Sequence, residues 1–486
     1  MTKPTTKRIT NSAAIWRVVF VLFLILAGIG TAGARSQQAG GDWPQFGLDL
    51  ASSSASAAPT GITAANIPDL TLLPVKLDGT VDASAIYLHG VIVKGSRHDV
   101  FFVTTTYGKT IAVDAGQGSI LWEYTPPKYT SWAGTYQITN STPVADPDRQ
   151  FIYAAAPDGT VRKLAVSDGH VLWTTPITLL PQREKIASPL RYFRGRIIAV
   201  TGGYVGDQPP YQGHVAILDA RTGKLLHVWN SLCSDRQGLL NPASCPDTRS
   251  AIWGRAGAVI DPATGNIFVA TGNGPYDGKT NWGDALIELD PDATRILGNY
   301  TPKNNAKLND ADLDLGSTSP VLLGGGYVAQ SGKAGLIHLL SMEAIAGVTP
   351  HLDHERQNVY APSGSPVFTA PAVWHHDGET WMFIANNNGT DAWALQKGQL
   401  VAMWKNGNRG TSPVLAGGLL YVYDPRGALR IYNPLNGTVI AELRCGSGHW
   451  NSPIVVKGKI ALPEGNANQH ATSGVLDIWS LPDPIN

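Results

Sequence analysis

Cysteine is scarce in this chain, with three in 486 residues, and none falls in a CxxCH or a paired zinc-type spacing. Covalent haem and a cysteine-built structural zinc site are therefore excluded from the reading. Net charge is also missing: 37 basic side chains balance 37 acidic ones. A surface without a field of one sign does not attract nucleic acid or another acidic polymer, so no nucleic-acid partner is expected. The glycines of TGNGPYDG, residues 271–278, do not follow the dinucleotide spacing, and no helical pattern follows them. Phosphate-loop, Ser-His-Asp and metal-hydrolase patterns are silent. His375-His376 reads as a surface loop pair, because spacing supplies no third metal ligand. No low-complexity break marks a second domain.

What is abundant is turn chemistry, with 53 Gly and 33 Pro. The stretch 213–229, GHVAILDARTGKLLHVW, shows how it is used. Val215 to Asp219 alternate as a strand, Asp219 and Gly223 make a turn, and 224–229 returns as a second strand ending in Trp229. One hairpin cannot bury that tryptophan, so the unit has to be stacked on copies of itself. Copies occur at 108–122, 159–173, 285–298, 335–347 (degenerate), 391–404 and 428–443, and a last one at 474–481 stops after one strand. Most are preceded by a small residue, Pro and an apolar strand: STPV at Ser141, ASPL at Ala187, TSPV at Thr318, TAPA at Thr369, TSPV at Thr411 and NSPI at Asn451. Ser84 and Gly257 hold the same place in the other two units. Eight units of about four strands predict an all-β, eight-bladed β-propeller with four-stranded antiparallel blades, a closed ring without a long free edge.

Lys3, Lys7, Arg8 and Arg17 precede the apolar run 18–29, and Ala32-Gly33-Ala34 follows. Residues 1–34 read as an export signal, or as an N-terminal membrane segment if uncleaved; membrane contact is then confined to residues 18–30. Either way the location expected is periplasmic or extracellular. Cys233 and Cys245 share one loop and are expected to pair in an oxidising compartment, the alternative being two reduced thiols; Cys445 is left over. The propeller is expected over 42–482. Blade one is placed at about 75–126, blade eight at about 450–481, residues 50–60 as an irregular arm over the propeller, and 301–312 as a polar loop.

The repeat Gly-x-hxALDAxTGKxLW resembles the blade signature of the pyrroloquinoline quinone (PQQ) dehydrogenases, the quinoprotein alcohol dehydrogenases. The opening DWPQFG with ITAANIPDLTLL, the block IWGRAGAVIDPATGNIFVATGNGPYDGKTNWGDALIELDPD, and DLDLGSTSPVLL followed by QSGKAGLIHLL resemble the same family. The resemblance spans roughly residues 42–481. It implies PQQ and calcium as cofactors, a small-molecule alcohol as substrate and an external electron acceptor.

Residue by residue, the resemblance assigns Asn273, in ATGNG, as a calcium ligand, since an amide oxygen suits a hard cation. Asp314 matches the catalytic Asp, a general base that also faces the metal, although both its neighbours are Leu where the family has aromatics. Lys333, in SGKAG, matches the cation that stabilises the quinone oxygen. Trp253 resembles the residue stacked under the quinone, with Arg255 as the alternative occupant of that place. The family's second calcium carboxylate follows a Gly-Gly pair; here YVGDQPPYQG follows Gly202-Gly203, which makes Asp207 the nearest candidate. The vicinal Cys-Cys over the quinone is absent, and no cytochrome domain is fused. A rival reading is a non-catalytic PQQ-repeat propeller serving as a periplasmic protein-binding scaffold.

Overall fold

The computed structural model describes residues 41–482. Residues 1–34, read above as an export signal or membrane segment, fall outside the described residues; within them, no helix is long and apolar enough to cross a membrane.

The repeats fold as eight blades of four antiparallel strands, the seventh of which gains a fifth, parallel strand, Ala55–Ser56, against Val414–Ala416. Their innermost strands are Ile86–Val93, Val144–Ala145, Arg191–Phe193, Val259–Ile260, Val321–Gly324, Ala372–His376, Val414–Ala416 and Ile454–Val456. In seven blades the four strands follow in chain order from the innermost outward. Each repeat hairpin supplies the third and outer strands, and the small-Pro signal leads into the innermost strand.

Tryptophan docking is what stacks neighbouring blades. The outer-strand Trp122, Trp173 and Trp404 lie over Gly169, Gly223 and Gly437 in the turn of the following blade, where a Cβ would meet the indole at 2.6 Å in each case. These glycines also have φ of +77°, +75° and +70°, so both the backbone and the close approach demand Gly. Each indole N–H donates to a backbone carbonyl of the same turn, at Val166, Ala220 and Pro434.

Three features depart from the sequence reading. Residues 75–77 do not open blade one. They belong to the strand Thr71–Leu77, which pairs antiparallel with Gly474–Ser480 through seven residue pairs and completes blade eight. A three-stranded last blade would leave an open edge, and the N-terminal segment removes it. The arm does not lie over the propeller either. Residues 43–56 run along the axis-facing edges of the innermost strands. Carbonyls of Trp43, Pro44, Leu50, Ser53 and Ser54 accept from the N–H groups of Tyr87, Ala145, Ile260, Val373 and Leu415. Arg191, fully buried, reaches the same arm at the Phe46 carbonyl, 2.6 Å. Innermost strands have N–H groups facing the axis that need partners, and the arm supplies them. Residues 301–312 also contain a short helix, Asn305–Asp310.

Burial pushes the carboxyl of Asp391, 3% exposed on the third strand of blade six, up to about 6, with Lys405 opposing the shift. Its folded pKa lies above its unfolded value, so its contribution is fully present below about pH 4 and is lost as pH rises to about 6. Asp391→Asn is therefore expected to stabilise the protein by about 1–3 kcal/mol at pH 7 and to flatten the stability profile between about pH 4 and 6. Urea unfolding across that range checks this.

Candidate active site

In every blade the chain enters the innermost strand at the same end of the ring, and the turns between second and third strands return to that end. The two sets of loops enclose a cavity of about 790 Å³. All six residues expected at the site line it: Asp207, Trp253, Arg255, Asn273, Asp314 and Lys333.

Asp314, Asn273 and Lys333 are in direct contact. The Asn273 N–H donates to Asp314 Oδ1 at 2.6 Å, and Lys333 Nζ meets Asp314 Oδ2 at 2.5 Å. Close packing enforces this, because a Cβ on Gly272 would stand 2.3 Å from Asp314 Oδ1. Lys333 Nζ also donates to Asp312 Oδ1 at 2.8 Å and sits 5.6 Å from the Trp253 ring centroid, a cation–π distance. Burial raises the Asp314 carboxyl above its ordinary range, while Lys333 and the Asn273 N–H pull it down. The same carboxylates hold the Lys333 ammonium above its ordinary pKa against desolvation.

Asp284 was not legible as a site residue. It is fully buried, accepts from the N–H of Leu315 at 2.9 Å, and is pushed up to about 8, chiefly by burial. Asp207 is on the exposed rim and accepts from the Tyr211 hydroxyl at 3.0 Å, apart from the Asp314 contacts. Cys233 and Cys245 are bonded, with Cα atoms 6.2 Å apart, and Cys445 is free.

The far wall joins the expected Trp253 to residues that sequence reasoning missed: Phe368, Trp450, His449 and Lys185. Trp253, Phe368, Trp450 and His449 form a row with successive ring centroids 6.0, 5.3 and 4.5 Å apart. At its end His449 Nδ1 lies 2.8 Å from Asp82 Oδ2. Lys185 lines the same side. One signal points to them: each stands a few residues ahead of a small-Pro signal or its equivalent, the position that Asp314 also holds before TSPV.

A planar quinone fits this lining on three observations: an aromatic wall, an ammonium beside Trp253, and buried basic side chains. A hard cation fits in part. Asn273 Oδ1 is buried without a hydrogen-bond partner, and the backbone N–H of the same residue donates to the Asp314 carboxylate. Among the described residues, however, no three His, Cys, Asp or Glu side chains are placed to hold a metal ion. Protein ligands would be one amide oxygen and one carboxylate, with the remainder supplied by quinone or water.

The fold is an eight-bladed propeller, the architecture also seen in solved quinoprotein alcohol dehydrogenases. The solved quinohemoprotein alcohol dehydrogenase from Comamonas testosteroni superposes with a TM-score of 0.69 over 92% of this chain and 81% of that one, at 16% identity. A europium-containing methanol dehydrogenase gives 0.66 over 91% and 99%, at 15% identity. In sequence, the quinohemoprotein alcohol dehydrogenase ADH IIB of Pseudomonas putida is 26% identical over 309 residues, 57% of this chain and 42% of that protein. The dehydrogenase subunit of the quinone alcohol dehydrogenase of Gluconobacter oxydans is 23% identical over 60% of this chain and 43% of its own length. The match thus spans less than half the length of these curated relatives. The profile of a family described as outer membrane protein assembly factor BamB matches residues 54–238. The chain is thus similar, at 26% identity or less, to quinohemoprotein and quinone alcohol dehydrogenases.

Proposed function

We propose that this chain is an exported, PQQ- and calcium-dependent dehydrogenase-like protein that oxidises an alcohol or sugar-type hydroxyl and passes electrons to a separate acceptor. The observation that carries this reading is the convergence of Asn273, Asp314 and Lys333 in one cavity, with Lys333 over Trp253. When bound, PQQ supplies the hydride acceptor and calcium supplies Lewis acidity.

The chain's own residues do the rest. Asn273 Oδ1 and Asp314 would hold the cation, with quinone and water supplying the remaining oxygens. Trp253 offers a flat apolar face to the quinone, and Arg255 a guanidinium whose Nε has no partner. Asp314 takes the proton of the substrate hydroxyl at its carboxylate. Lys333 Nζ holds that carboxylate ionised until the proton arrives and places a positive charge where oxygen charge develops. The aromatic row excludes water from one side.

The test is reconstitution: purified protein incubated with PQQ and Ca²⁺, assayed by dye reduction across a panel of alcohols and sugars. Quinone retained after desalting, with turnover of at least one hydroxyl compound, is the result expected. No retention and no turnover overturn the proposal. The scaffold reading draws on the BamB-described profile and would predict neither, with binding of a protein partner instead.

A further inference from the structure

We infer that the buried His214–Glu184 ion pair is a pH-sensitive latch. It holds the disulfide loop, residues 231–250, on blade three, and through the end of that loop it holds the Asn273 segment beside the cavity. The latch does not depend on what the cavity binds. Only its consequence for a cation at Asn273 rests on the proposed reading.

The neighbours of the pair fix its protons. His214 opens the strand His214–Asp219, and its side chain and that of Glu184 are fully buried. Asn230, across the ladder from His214, donates from Nδ2 to the carbonyls of Arg236 and Gly238, each at 3.1 Å. Its Oδ1 is thereby turned to His214 Nδ1 at 2.6 Å, so that nitrogen carries a proton. His214 Nε2 stands 2.9 Å from Glu184 Oε1. Glu184 accepts from the Thr178 hydroxyl and from the Gln212 N–H, and it is the acceptor in this contact too. Both ring nitrogens then carry protons, and the imidazole is a cation. Burial lowers the His214 pKa, but the Glu184 charge and the bonds to Glu184 and Asn230 outweigh it, and the net shift is upward. Other charged groups face away: Lys185 lines the cavity, and His227 on the outer strand is exposed, as are Asp235, Arg236, Asp247 and Arg249 in the loop.

The partners of the pair are also the ties of the loop. Asn230 grips it at Arg236 and Gly238. Gln212, whose N–H is on Glu184, accepts from the Leu232 N–H at 3.1 Å, places Nε2 3.9 Å from Cys245 Sγ and bridges to Arg249. Cys233, Leu240 and Cys245 form an apolar cluster of their own. The end of the loop reaches the site. The Ser250 carbonyl accepts from the N–H of Gly213, next to His214, at 3.0 Å, and the Ser250 N–H donates to the Asn273 carbonyl at 2.7 Å.

Loss of the Nε2 proton sets a lone pair against the carboxylate and leaves a buried charge without its counter-ion. Opening of the loop gives both groups to water. The folded pKa is the higher one, so the latch is fully closed below about pH 6.5, weakens as pH rises toward the folded value and is released above it.

The experiment reads loop opening on the full chain without quinone or metal. Cys233 and Cys245 are 7% and 8% exposed, so a water-soluble phosphine reduces their bond only when the loop opens. The rate is divided by that of an exposed model disulfide in the same buffer. It is flat below about pH 6.5, then rises about 10-fold per pH unit until the folded pKa is passed. Amide exchange at Ser250, corrected for its intrinsic rate, rises over the same interval. His214→Gln and Glu184→Gln each abolish the rise, the first by removing the titrating group and the second by leaving burial alone to act on it. Nitrogen-15 spectra of ring-labelled histidine show His214, identified by its loss in His214→Gln, as an imidazolium at pH 7.5. A histidine that only packs gives one protonated nitrogen there and no pH step. A phosphine rate flat to pH 9.5, or a neutral His214 at pH 7.5, overturns the latch. A rate rise without a change at Ser250 overturns its reach to Asn273. If either variant fails to fold, the wild-type rate and exchange profiles decide alone. Failure of PQQ reconstitution touches none of these readouts, so it removes the dehydrogenase reading and not the latch.

Discussion

Asp314→Asn in the PQQ-loaded protein lowers kcat by about 10²–10⁴-fold, the range for loss of a positioned general base. Quinone retention stays within a few-fold of wild type. The amide has the shape of the carboxyl and can still accept from the Asn273 N–H, so the pocket keeps its form while the proton acceptor is gone. Lys333→Met tests the other half of the pair. Asp314 is then left buried without its cation, and removing one partner of a buried ion pair costs about 3–5 kcal/mol. Turnover falls for a different reason, since the carboxyl is driven toward its neutral form. Asp312, exposed at the rim, is the other acid in contact with Lys333 among the described residues, and as a second carboxylate it supplies no positive charge in place of the lost ammonium. Steady-state kinetics with quinone content measured on the same samples separates the two variants. Turnover by Asp314→Asn at the wild-type rate removes Asp314 as the base.

The second large effect is on closure of the ring. Val75 and Leu77 are the buried residues of the N-terminal strand in blade eight, 6% and 4% exposed. Val75→Asp with Leu77→Asp removes two apolar side chains worth about 1.5–3 kcal/mol each and sets two carboxylates against the core. A loss of about 5 kcal/mol or more is expected, seen as a lower urea midpoint and rapid proteolysis of the 474–480 strand. Leu72→Asp on the same strand, 45% exposed, is the control and changes little. Equal stability of the double variant and the control would mean that the eighth blade holds without its borrowed strand.

The blades were readable because their physics is local. Alternation over four to six residues, a turn glycine and a following tryptophan suffice to mark each hairpin, and the docking of Trp173 on Gly223 is the reason the pattern recurs. Asn273, Asp314 and Lys333 were expected together from the family resemblance of their motifs, and the fold brings all three to one cavity. The far wall was not expected. Lys185, Asp82 and His449 come from three blades, and no spacing along the chain connects positions 82, 185 and 449. Asp284 was hidden for another reason: a carboxyl after a glycine looks like a turn residue until its burial is known.

The order of residues along the chain settled the repeat, the number of blades and the direction in which each strand runs, since these depend on contacts between neighbours a few residues apart. Where the two chain ends meet, what fills the hub, and which side chains share a cavity depended on closing the ring. Thr71–Leu77 pairs with a strand some 400 positions later, and that pairing becomes favourable only once every intervening blade has turned the chain back on itself.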